Sequence, residues 1–548
     1  MPGITGWSRN PRSAGQGRRD QAGGHRGHRT GDELFPKPWV TWSPVSDSLR
    51  SENAGGSENL AVKYPVTTRA FGLAIIVLSG MQLMMVLDGT VASLALARIQ
   101  EDLDLSDSGR NWVITSYALT FGGLMLLGGR LGDTFGRKKV FLSGVILFTL
   151  ASLACGLATN EAMLIAARSL QGVGAAIASP TALALVATTF APGPVRNQAI
   201  AIFAAMTGIG SVTGLIIGGA LTEVSWRWIF LINVPIGLLI IALAFGALVE
   251  TGAERLALDV PGAILATLGC TGIVFGFTEG PEMGWTSAPV LGALIGGVAL
   301  FVIFLMVERR AENPLLPFSL FKNKNRVFTF ISLALMGAVM FSLAPFVALF
   351  VQDILGYSPL HAGLAFVPFA FGLGAAAFVA SKLVVRVQAR WLIVTGAVMT
   401  FLGLLYGSTL DQSTTYMGNL FVLVVGIGFG VGLAVVPLPL CAIAGVGSQD
   451  IGPLTAIAQV AQVLFGPVGL AIVGAMATSR TLSLGGVSGV AADMNEAQLS
   501  ALSEGYVFAL FGCAIFAALA AISALFIKFT PADVAQAQAA EKVAQGID

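Results

Sequence analysis

The sequence predicts an all-α polytopic membrane protein with about fourteen transmembrane helices. Hydrophobic residues make up 55% of the 548 residues, and charged residues make up only 11%. The mean hydropathy is +0.80. A soluble domain has about a quarter of its residues charged, so lipid must be the solvent for much of this protein's exterior. The third observation is a series of long apolar stretches that recur at short intervals.

The apolar stretches have the length of membrane-crossing helices. Each is about 18–27 residues long, which spans a hydrocarbon core of about 30 Å at about 1.5 Å per residue. Helices satisfy their own backbone at that depth, and the stretches are too long for barrel strands. The predicted spans are 71–97, 112–129, 138–158, 162–188, 198–222, 228–249, 260–279, 288–307, 328–352, 361–385, 391–410, 417–442, 452–478 and 505–528.

The first 68 residues differ in composition from the rest. They are rich in Gly, Arg, Ser and Pro without apolar periodicity, so they are predicted to be disordered, and they lack the pattern of a signal peptide. No second methionine precedes Met81, which leaves open whether this segment is translated. The predicted organisation is a cytoplasmic tail (1–68), a six-helix bundle (69–250), two inserted helices with a cytoplasmic loop (251–327), a second six-helix bundle (328–530) and a cytoplasmic tail (531–548).

The basic residues predict the orientation. With the N-terminus inside, the inner connections carry fourteen Lys or Arg residues and the outer connections carry four, so both termini are predicted to be cytoplasmic. The predicted location is the plasma (inner) membrane. The inner set is Arg130, Arg137, Lys138, Lys139, Arg196, Arg255, Arg309, Arg310, Lys322, Lys324, Arg326, Lys382, Arg386 and Arg390, and the outer set is Arg98, Arg110, Arg227 and Arg480.

A faint internal duplication supports the division into bundles. Residues 128–139 resemble 380–391, and residues 213–221 resemble 468–476. Both pairs are offset by eight helices, as two six-helix units separated by two inserted helices require. Such parallel repeats build carriers that handle their substrate between the two halves.

Five motifs occur in order along the chain. They are 129–139 (GRLGDTFGRKK) between the second and third helices, Arg168 with Gln171, Gly172 and Gly174 in the fourth, Gly210, Gly214, Gly218 and Gly219 in the fifth, 87–91 (LDGTV) in the first, and 226–235 (WRWIFLINVP) entering the sixth. Over about residues 70–530 the chain therefore resembles the major facilitator superfamily, and within it the fourteen-helix drug:proton antiporter family. Two departures are Leu215, where the family usually has Pro, and Val385 at the position equivalent to Asp133.

Asp88 is the leading candidate for proton coupling. An ionised carboxylate in an apolar helix costs about 2.5–3.5 kcal/mol or more unless it is paired or hydrated, and a site that is alternately hydrated and occluded can bind and release a proton. The alternative is a structural Asp beside a helix break at Gly89. Arg168 lies at a similar predicted depth. The family resemblance implies that the first and fourth helices face the same cavity, where the two charges can pair directly or through water, either as a titrating pair or as a static salt bridge.

Two glycine-containing motifs have both a functional and a structural interpretation. Gly129 and Gly136 allow tight helix ends, and Asp133 and Arg137 have i,i+4 spacing. The resemblance implies that this loop is a conformational latch, whereas its basic residues would also anchor it inside. Gly210, Gly214 and Gly218, followed by Gly219, form a helix-packing motif; sealing against proton leakage is the alternative.

Several other polar residues are candidates for lining a cavity. Gln171 accompanies Arg168 in the fourth helix, and Gln459 and Gln462 have i,i+3 spacing in an apolar run. The two glutamines in the thirteenth helix contact either the cavity or a neighbouring helix. Glu223 and Glu279 end the fifth and seventh predicted helices, where they line a vestibule or are simply solvated.

The sequence lacks the residues of several other functions. It has no phosphate-binding loop or nucleophile elbow, no His/Cys spacing typical of a metal site, and no basic stripe for nucleic acid. The four cysteines lie in separate apolar runs and are expected to be free thiols. No cofactor and no catalytic residue is expected.

The resemblance implies a secondary transporter that exports drug-like or antibiotic compounds in exchange for protons by alternating access. Its expected partners are a small amphiphilic or cationic organic substrate, protons and the lipid bilayer, and it is expected to be a monomer. A dedicated exporter or symporter of one metabolite and a non-transporting membrane sensor are the alternatives. The substrate, the proton stoichiometry and the role of the inserted helices stay open.

Overall fold

The computed structural model describes residues 68–190, 194–250, 259–310, 321–446 and 448–545. The predicted tail 1–68 lies outside this part of the chain except for Thr68, as does Arg255. Within these described ranges, fourteen helices are long and apolar enough to cross a membrane. In chain order they are α1 (Thr68–Leu103), α2 (Asp107–Phe135), α3 (Arg137–Gly156), α4 (Glu161–Thr189), α5 (Pro194–Val224), α6 (Trp228–Ala247), α7 (Val260–Met283), α8 (Ala288–Glu308), α9 (Lys324–Ile354), α10 (Pro359–Leu383), α11 (Ala389–Gly407), α12 (Tyr416–Ile443), α13 (Ser448–Ser483) and α14 (Glu496–Leu525). A fifteenth helix, α15 (Pro531–Gln545), follows.

The prediction of an all-α protein with fourteen membrane-spanning helices is confirmed, but several helices are longer than predicted. Helix α2 begins at Asp107 rather than at 112, and α14 begins at Glu496 rather than at 505. Both gain a polar first turn from an N-cap: Ser106 Oγ accepts from Gly109 N, and Asn495 forms a capping box with Gln498. Capped polar turns extend a helix beyond its apolar segment, so hydropathy alone underestimated their length.

Helices α1–α6 form one group and helices α9–α14 form a second group, and the two groups have the same internal packing. In the first group, α1 packs on α5, and α4 packs on both α2 and α3. In the second group, α9 packs on α13, and α12 packs on both α10 and α11. Each contacting pair of helices in the second group corresponds to a pair in the first group whose helix numbers are lower by eight. This is the offset predicted from the sequence duplication.

The two groups meet along two main seams, α5 with α10 and α2 with α13. The inserted helix α7 packs against both α2 and α13, and α8 packs on α7. The inserted pair therefore covers the α2–α13 seam. We call the end of the molecule that carries Ser106 and Ser488 the predicted outer end, following the orientation predicted from the basic residues.

The last helix, α15, contacts α5 and α13 and packs on the end of α12. Val534 and Ala537 are buried there. The predicted C-terminal tail 531–548 therefore begins with a helix whose apolar face packs on the transmembrane helices at the end opposite to the predicted outer end.

Candidate transport site

A fully buried ion pair joins α1 to α4. Arg168 Nη1 donates to Asp88 Oδ2 at 2.8 Å. Both side chains are only 1% exposed, although each lies in a predominantly apolar helix. Asp88 and Arg168, eighty positions apart in the sequence, are therefore in direct contact, which is consistent with their similar predicted depth.

Uncharged polar side chains complete the surroundings of the Asp88 carboxylate. Its second oxygen, Oδ1, accepts from Gln171 Nε2 at 2.8 Å and from Asn233 Nδ2 at 2.9 Å. Gln171 Nε2 also donates to Ser152 Oγ, and Gln171 Oε1 accepts from Arg168 Nη1 at 2.6 Å. We call Asp88, Arg168, Gln171, Asn233 and Ser152 the carboxylate cluster.

Arg168 is held on three further sides. Its Nε donates to the Val113 carbonyl of α2 at 2.9 Å. The guanidinium carbon lies 4.4 Å from the ring centroid of Tyr117 and 5.5 Å from that of Phe230. Aromatic faces attract a cation, so these rings stabilise the charged guanidinium where water does not reach it.

The stability of this cluster depends on both charges of the ion pair being present. Removing one partner of a buried ion pair costs about 3–5 kcal/mol, because the other charge is left uncompensated. Both carboxylate oxygens of Asp88 are already occupied by donors.

Two members of the cluster, Ser152 and Asn233, were not predicted as site residues. Asn233 opens the main segment of α6, Asn233–Ala247, directly after the short turn Trp228–Leu231. It belongs to the 226–235 motif, but its role was not identified from the sequence. A polar amide in an otherwise apolar helix was the signal that could have found it.

Two other residues of the 226–235 motif, Trp226 and Arg227, contact the end of α1. Asp102 Oδ2, at the end of α1, accepts from Trp226 Nε1 at 2.9 Å and from Arg227 Nη1 at 2.6 Å. Arg227 also lies over the Trp226 ring at 4.4 Å. This motif therefore ties the α5–α6 connection to the helix that carries Asp88.

The glycine motif of α5 packs that helix against α1 beside Asp88. A Cβ at Gly214 would meet Thr90 at 3.1 Å and the backbone of Leu87 at 3.5 Å, and one at Gly218 would meet Val91 at 2.7 Å. Gly219 faces the other group instead, where its Cβ would lie 2.7 Å from the Leu360 backbone of α10. The stripe thus serves close helix packing, and Gly219 extends that packing across the α5–α10 seam.

We expect Gly218→Leu to lower the thermal stability of the protein, because the larger side chain forces α5 away from α1. Gly208→Leu in the same helix is the matched control, since a Cβ at Gly208 meets nothing within 4 Å. Overpacking typically costs about 1–3 kcal/mol. The measurement is thermal unfolding in detergent, reported by a thiol-reactive dye that reaches the four buried cysteines only on unfolding. Equal melting of the two variants would contradict this packing role.

The predicted latch residues lie together at the end of α2. Arg137 Nη2 donates to Asp133 Oδ1 at 2.7 Å. Gly136 has φ +98° and sits against the carboxylate of Glu250, which also accepts from the Lys138 and Lys139 backbone. This positive φ is the reason for a glycine there.

Gly129 and Gly132 of the same motif face α4, where a Cβ would lie 3.5 Å from Pro180 and 3.2 Å from Thr181 respectively. These contacts, like those of Asp133 and Gly136, lie within residues 68–250. A latch between the two groups stays a prediction.

The other candidate residues occupy different surroundings. Glu223 and Gln459 are exposed, and Gln462 is partly buried beside Gly337 of α9. Glu279 does not end its helix, because α7 continues to Met283. Its Oε1 accepts from Ser108 Oγ and, at 3.1 Å, from Trp112 Nε1, so it connects α7 to α2.

An apolar cavity of about 510 Å³ lies beside the α2–α13 seam. Helices of both groups and both inserted helices line it. Phe301 and Phe304 come from α8, Phe330 from α9 and Phe465 from α13, and neither Gln459 nor Gln462 is among the lining residues. Its volume is within the range of small-molecule sites.

The helix packing agrees with the family comparison. The chain belongs to the major facilitator superfamily, whose family model matches residues 78–470, and it is of the fourteen-helix drug efflux type. It is a multipass membrane transporter rather than an enzyme.

The relatives include exporters and resistance proteins. The chain is 54% identical over 502 residues to the uncharacterized MFS-type transporter EfpA of Mycobacterium tuberculosis, covering 91% of this chain and 94% of the relative. It is 37% identical to the puromycin resistance protein of Streptomyces alboniger (77% and 85% covered) and 37% identical to the cephamycin export protein of Amycolatopsis lactamdurans (75% and 85% covered).

Solved structures share the fold. A bacterial homologue of the human lysosomal transporter Spinster, in an inward-facing and unoccupied conformation, superimposes with a TM-score of 0.61 at 16% identity. The match covers 85% of this chain and all of that chain. At this identity the likeness concerns the fold alone.

Proposed function

We propose that the protein exports drug-like or antibiotic organic compounds in exchange for protons by alternating access. The observation that carries this proposal is the buried Asp88–Arg168 pair, a titratable carboxylate held at 2.8 Å from a guanidinium in the transmembrane region. Intramembrane ionisable residues usually mark substrate or ion pathways.

The proposed proton step is a change of partner at Asp88. When the cluster is exposed to water on one side, Asp88 takes up a proton and its attraction to Arg168 weakens. Gln171 and Asn233 still donate to Asp88 Oδ1, so the neutral carboxyl stays in place. Deprotonation on the other side restores the ion pair. Because α1 also packs on α5, a shift of α1 is transmitted to the α5–α10 seam.

The proposed substrate class is amphiphilic or cationic organic compounds of modest polarity. Three kinds of support exist: relatives named for puromycin resistance, cephamycin export and multidrug resistance, the apolar cavity of about 510 Å³, and its aromatic lining. Few fixed polar groups in such a cavity imply loose selectivity.

The proposed cycle moves two six-helix bundles (69–250 and 328–530) against each other. The Asp133–Arg137 loop is proposed to fasten them at the cytoplasmic side in the opposite state to the one described, since its polar contacts now lie within one bundle. The protein is proposed to work as a monomer with both termini in the cytoplasm.

The test is proton movement in liposomes that contain the purified protein. Adding a transported compound to vesicles with an imposed pH gradient should release protons in proportion to the compound moved, as reported by a trapped pH dye. A panel of diverse compounds separates multidrug from single-compound export. Compound movement without proton movement would refute antiport, and binding without any flux would indicate a sensor.

A further inference from the structure

A second buried charged cluster lies at the predicted outer end, away from Asp88. We call Gln100, Asp107, Arg110, Asp353 and Tyr506 the outer cluster. Four of these side chains are at most 3% exposed, and Asp353 is partly buried. None of the five was predicted as a site residue, because Arg110 was assigned to a loop and Asp353 lies one residue beyond the predicted helix 328–352.

A chain of hydrogen bonds in the outer cluster crosses from one helix group to the other. Arg110 Nη1, in α2, donates to Tyr506 Oη of α14 at 3.1 Å. Tyr506 Oη in turn donates to Asp353 Oδ2 of α9 at 2.7 Å. The Arg110 guanidinium also lies over the Tyr506 ring at 5.7 Å. Any separation of the two groups at this end must break the Arg110–Tyr506 bond.

Further hydrogen bonds join the two helix groups nearby. Gln100 Nε2 donates to the Gly489 carbonyl at 3.1 Å, and Asp107 N donates to Ser488 Oγ at 3.1 Å. Gln352 Nε2, next to Asp353, donates to the Leu94 carbonyl at 3.0 Å. The predicted outer end is therefore closed by polar contacts in the state described.

Asp353 lies between this closure and a solvent-facing recess. It sits in a π-helical turn, Phe350–Ile354, at the end of α9; such turns often occur at functional sites. Asp353 also lines a recess of about 580 Å³ together with Arg98, Glu101 and Tyr357. One face of its carboxyl is thus reachable from the predicted outer side, while Oδ2 holds Tyr506.

The charges around Asp353 do not balance. Within the outer cluster, the carboxylates of Asp107 and Asp353 face a single guanidinium, that of Arg110, which pairs with Asp107 at 3.2 Å. The nearby Glu101 is half-exposed and paired with Arg98 at 2.8 Å, so these two cancel. Tyr506 is the remaining titratable group in contact. With Asp353 ionised, the closed state buries a net charge of about −1, which burial disfavours.

One hydrogen-bond donor of Arg110 is unsatisfied in this arrangement. Among the residues that the structure describes, its buried Nε has no hydrogen-bond acceptor. A buried unsatisfied donor costs about 1–3 kcal/mol. The unsatisfied donor therefore lowers the stability of the closed arrangement.

We propose that Asp353 is a second proton-binding carboxylate, loaded from the predicted outer side, whose protonation closes that end of the transporter and whose deprotonation lets it open. Protonation leaves the neutral Asp107–Arg110 pair in the interior. The closed state therefore binds the proton more tightly than the open, hydrated state, and it loses stability relative to the open state as the pH rises. This inference requires alternating access but not proton coupling at Asp88.

The experiment measures the width of the predicted outer end by spin-label distances. Thr159→Cys and Ala497→Cys are exposed positions in the first and second groups, and the four native cysteines are buried. Raising the pH from about 5 to about 8 should shift the population from the short to the long distance. Asp353→Asn should hold the short distance at both pH values. Asp411→Asn, an exposed carboxylate in the α11–α12 connection, should behave as the unchanged protein.

Two results would overturn the proposal: no pH-dependent shift in the unchanged protein, or an Asp353→Asn variant that follows the unchanged protein's titration. Tyr506→Phe provides an independent check, since it removes only the bridging hydroxyl. It should lengthen the distance at about pH 5, and a fully closed Tyr506→Phe variant there would equally contradict the proposal.

Asp88→Asn in the labelled background separates this inference from the proposed function. It should keep the pH-dependent distance shift even if proton exchange is lost. If Asp88→Asn alone removed the shift, Asp353 would not be the controlling group.

Discussion

Asp88→Asn is expected to abolish proton-coupled export. The variant keeps the size of the side chain but cannot bind and release a proton, so extrusion against a gradient and substrate-driven proton release should fall to the level of protein-free vesicles. Exchange of labelled for unlabelled compound across the membrane needs no proton step and should persist. The measurements are the two fluxes in the same liposomes, with proton movement read by a trapped pH dye.

Asp102→Asn is the matched control for this prediction. It makes the same substitution in the same helix, at an exposed carboxylate that pairs with Arg227 at 2.6 Å. Its proton release should equal that of the unchanged protein within about twofold, because exposed ion pairs contribute only about 0–1 kcal/mol. If Asp88→Asn retained coupled export, or if Asp102→Asn lost it to the same degree, Asp88 would not be the coupling carboxylate.

The number and type of the helices were predictable because the bilayer thickness imposes a length that composition reveals directly. The depth of Asp88 and Arg168 followed from counting residues along two helices. Their contact required an assumption that α1 and α4 face one another, which the family resemblance supplied and hydropathy does not. Asn233 was missed for the same reason, because its partner lies 145 residues away.

The outer cluster was not predicted because the sequence does not locate the helix ends accurately. Arg110 and Asp353 lie at the boundary between apolar and polar sequence, where a charge is normally solvated. Arg110 is buried and Asp353 is partly buried, and both contact Tyr506 of α14, which lies 396 residues from Arg110 and 153 from Asp353. Nothing local in the sequence distinguishes them from exposed charges such as Arg98, which is 53% exposed.

Arg168→Gln is expected to cause the largest loss of stability among single changes at the candidate site. It leaves the Asp88 carboxylate buried without its cation, a change that typically costs about 3–5 kcal/mol. It also removes the cation held between Tyr117 and Phe230. Thermal unfolding in detergent, followed through the four buried cysteines, should show a clearly lower midpoint. Arg227→Gln removes a cation from the exposed pair with Asp102 and should cost about 1 kcal/mol or less.

The double variant Asp88→Asn/Arg168→Gln separates the structural role of the pair from its proposed proton step. With both charges removed, the amides can still hydrogen-bond one another and Gln171, so the double variant should be more stable than the sum of the single losses implies. Neighbouring residues of this kind show coupling of about 0.5–3 kcal/mol. Asp102→Asn/Arg227→Gln should instead be additive within about 0.5 kcal/mol. A stable double variant that still exchanges compound but releases no protons would show that the pair is kept for its charge and not for the fold. Additive losses at Asp88 and Arg168 would show that the two side chains do not stabilise each other in the membrane.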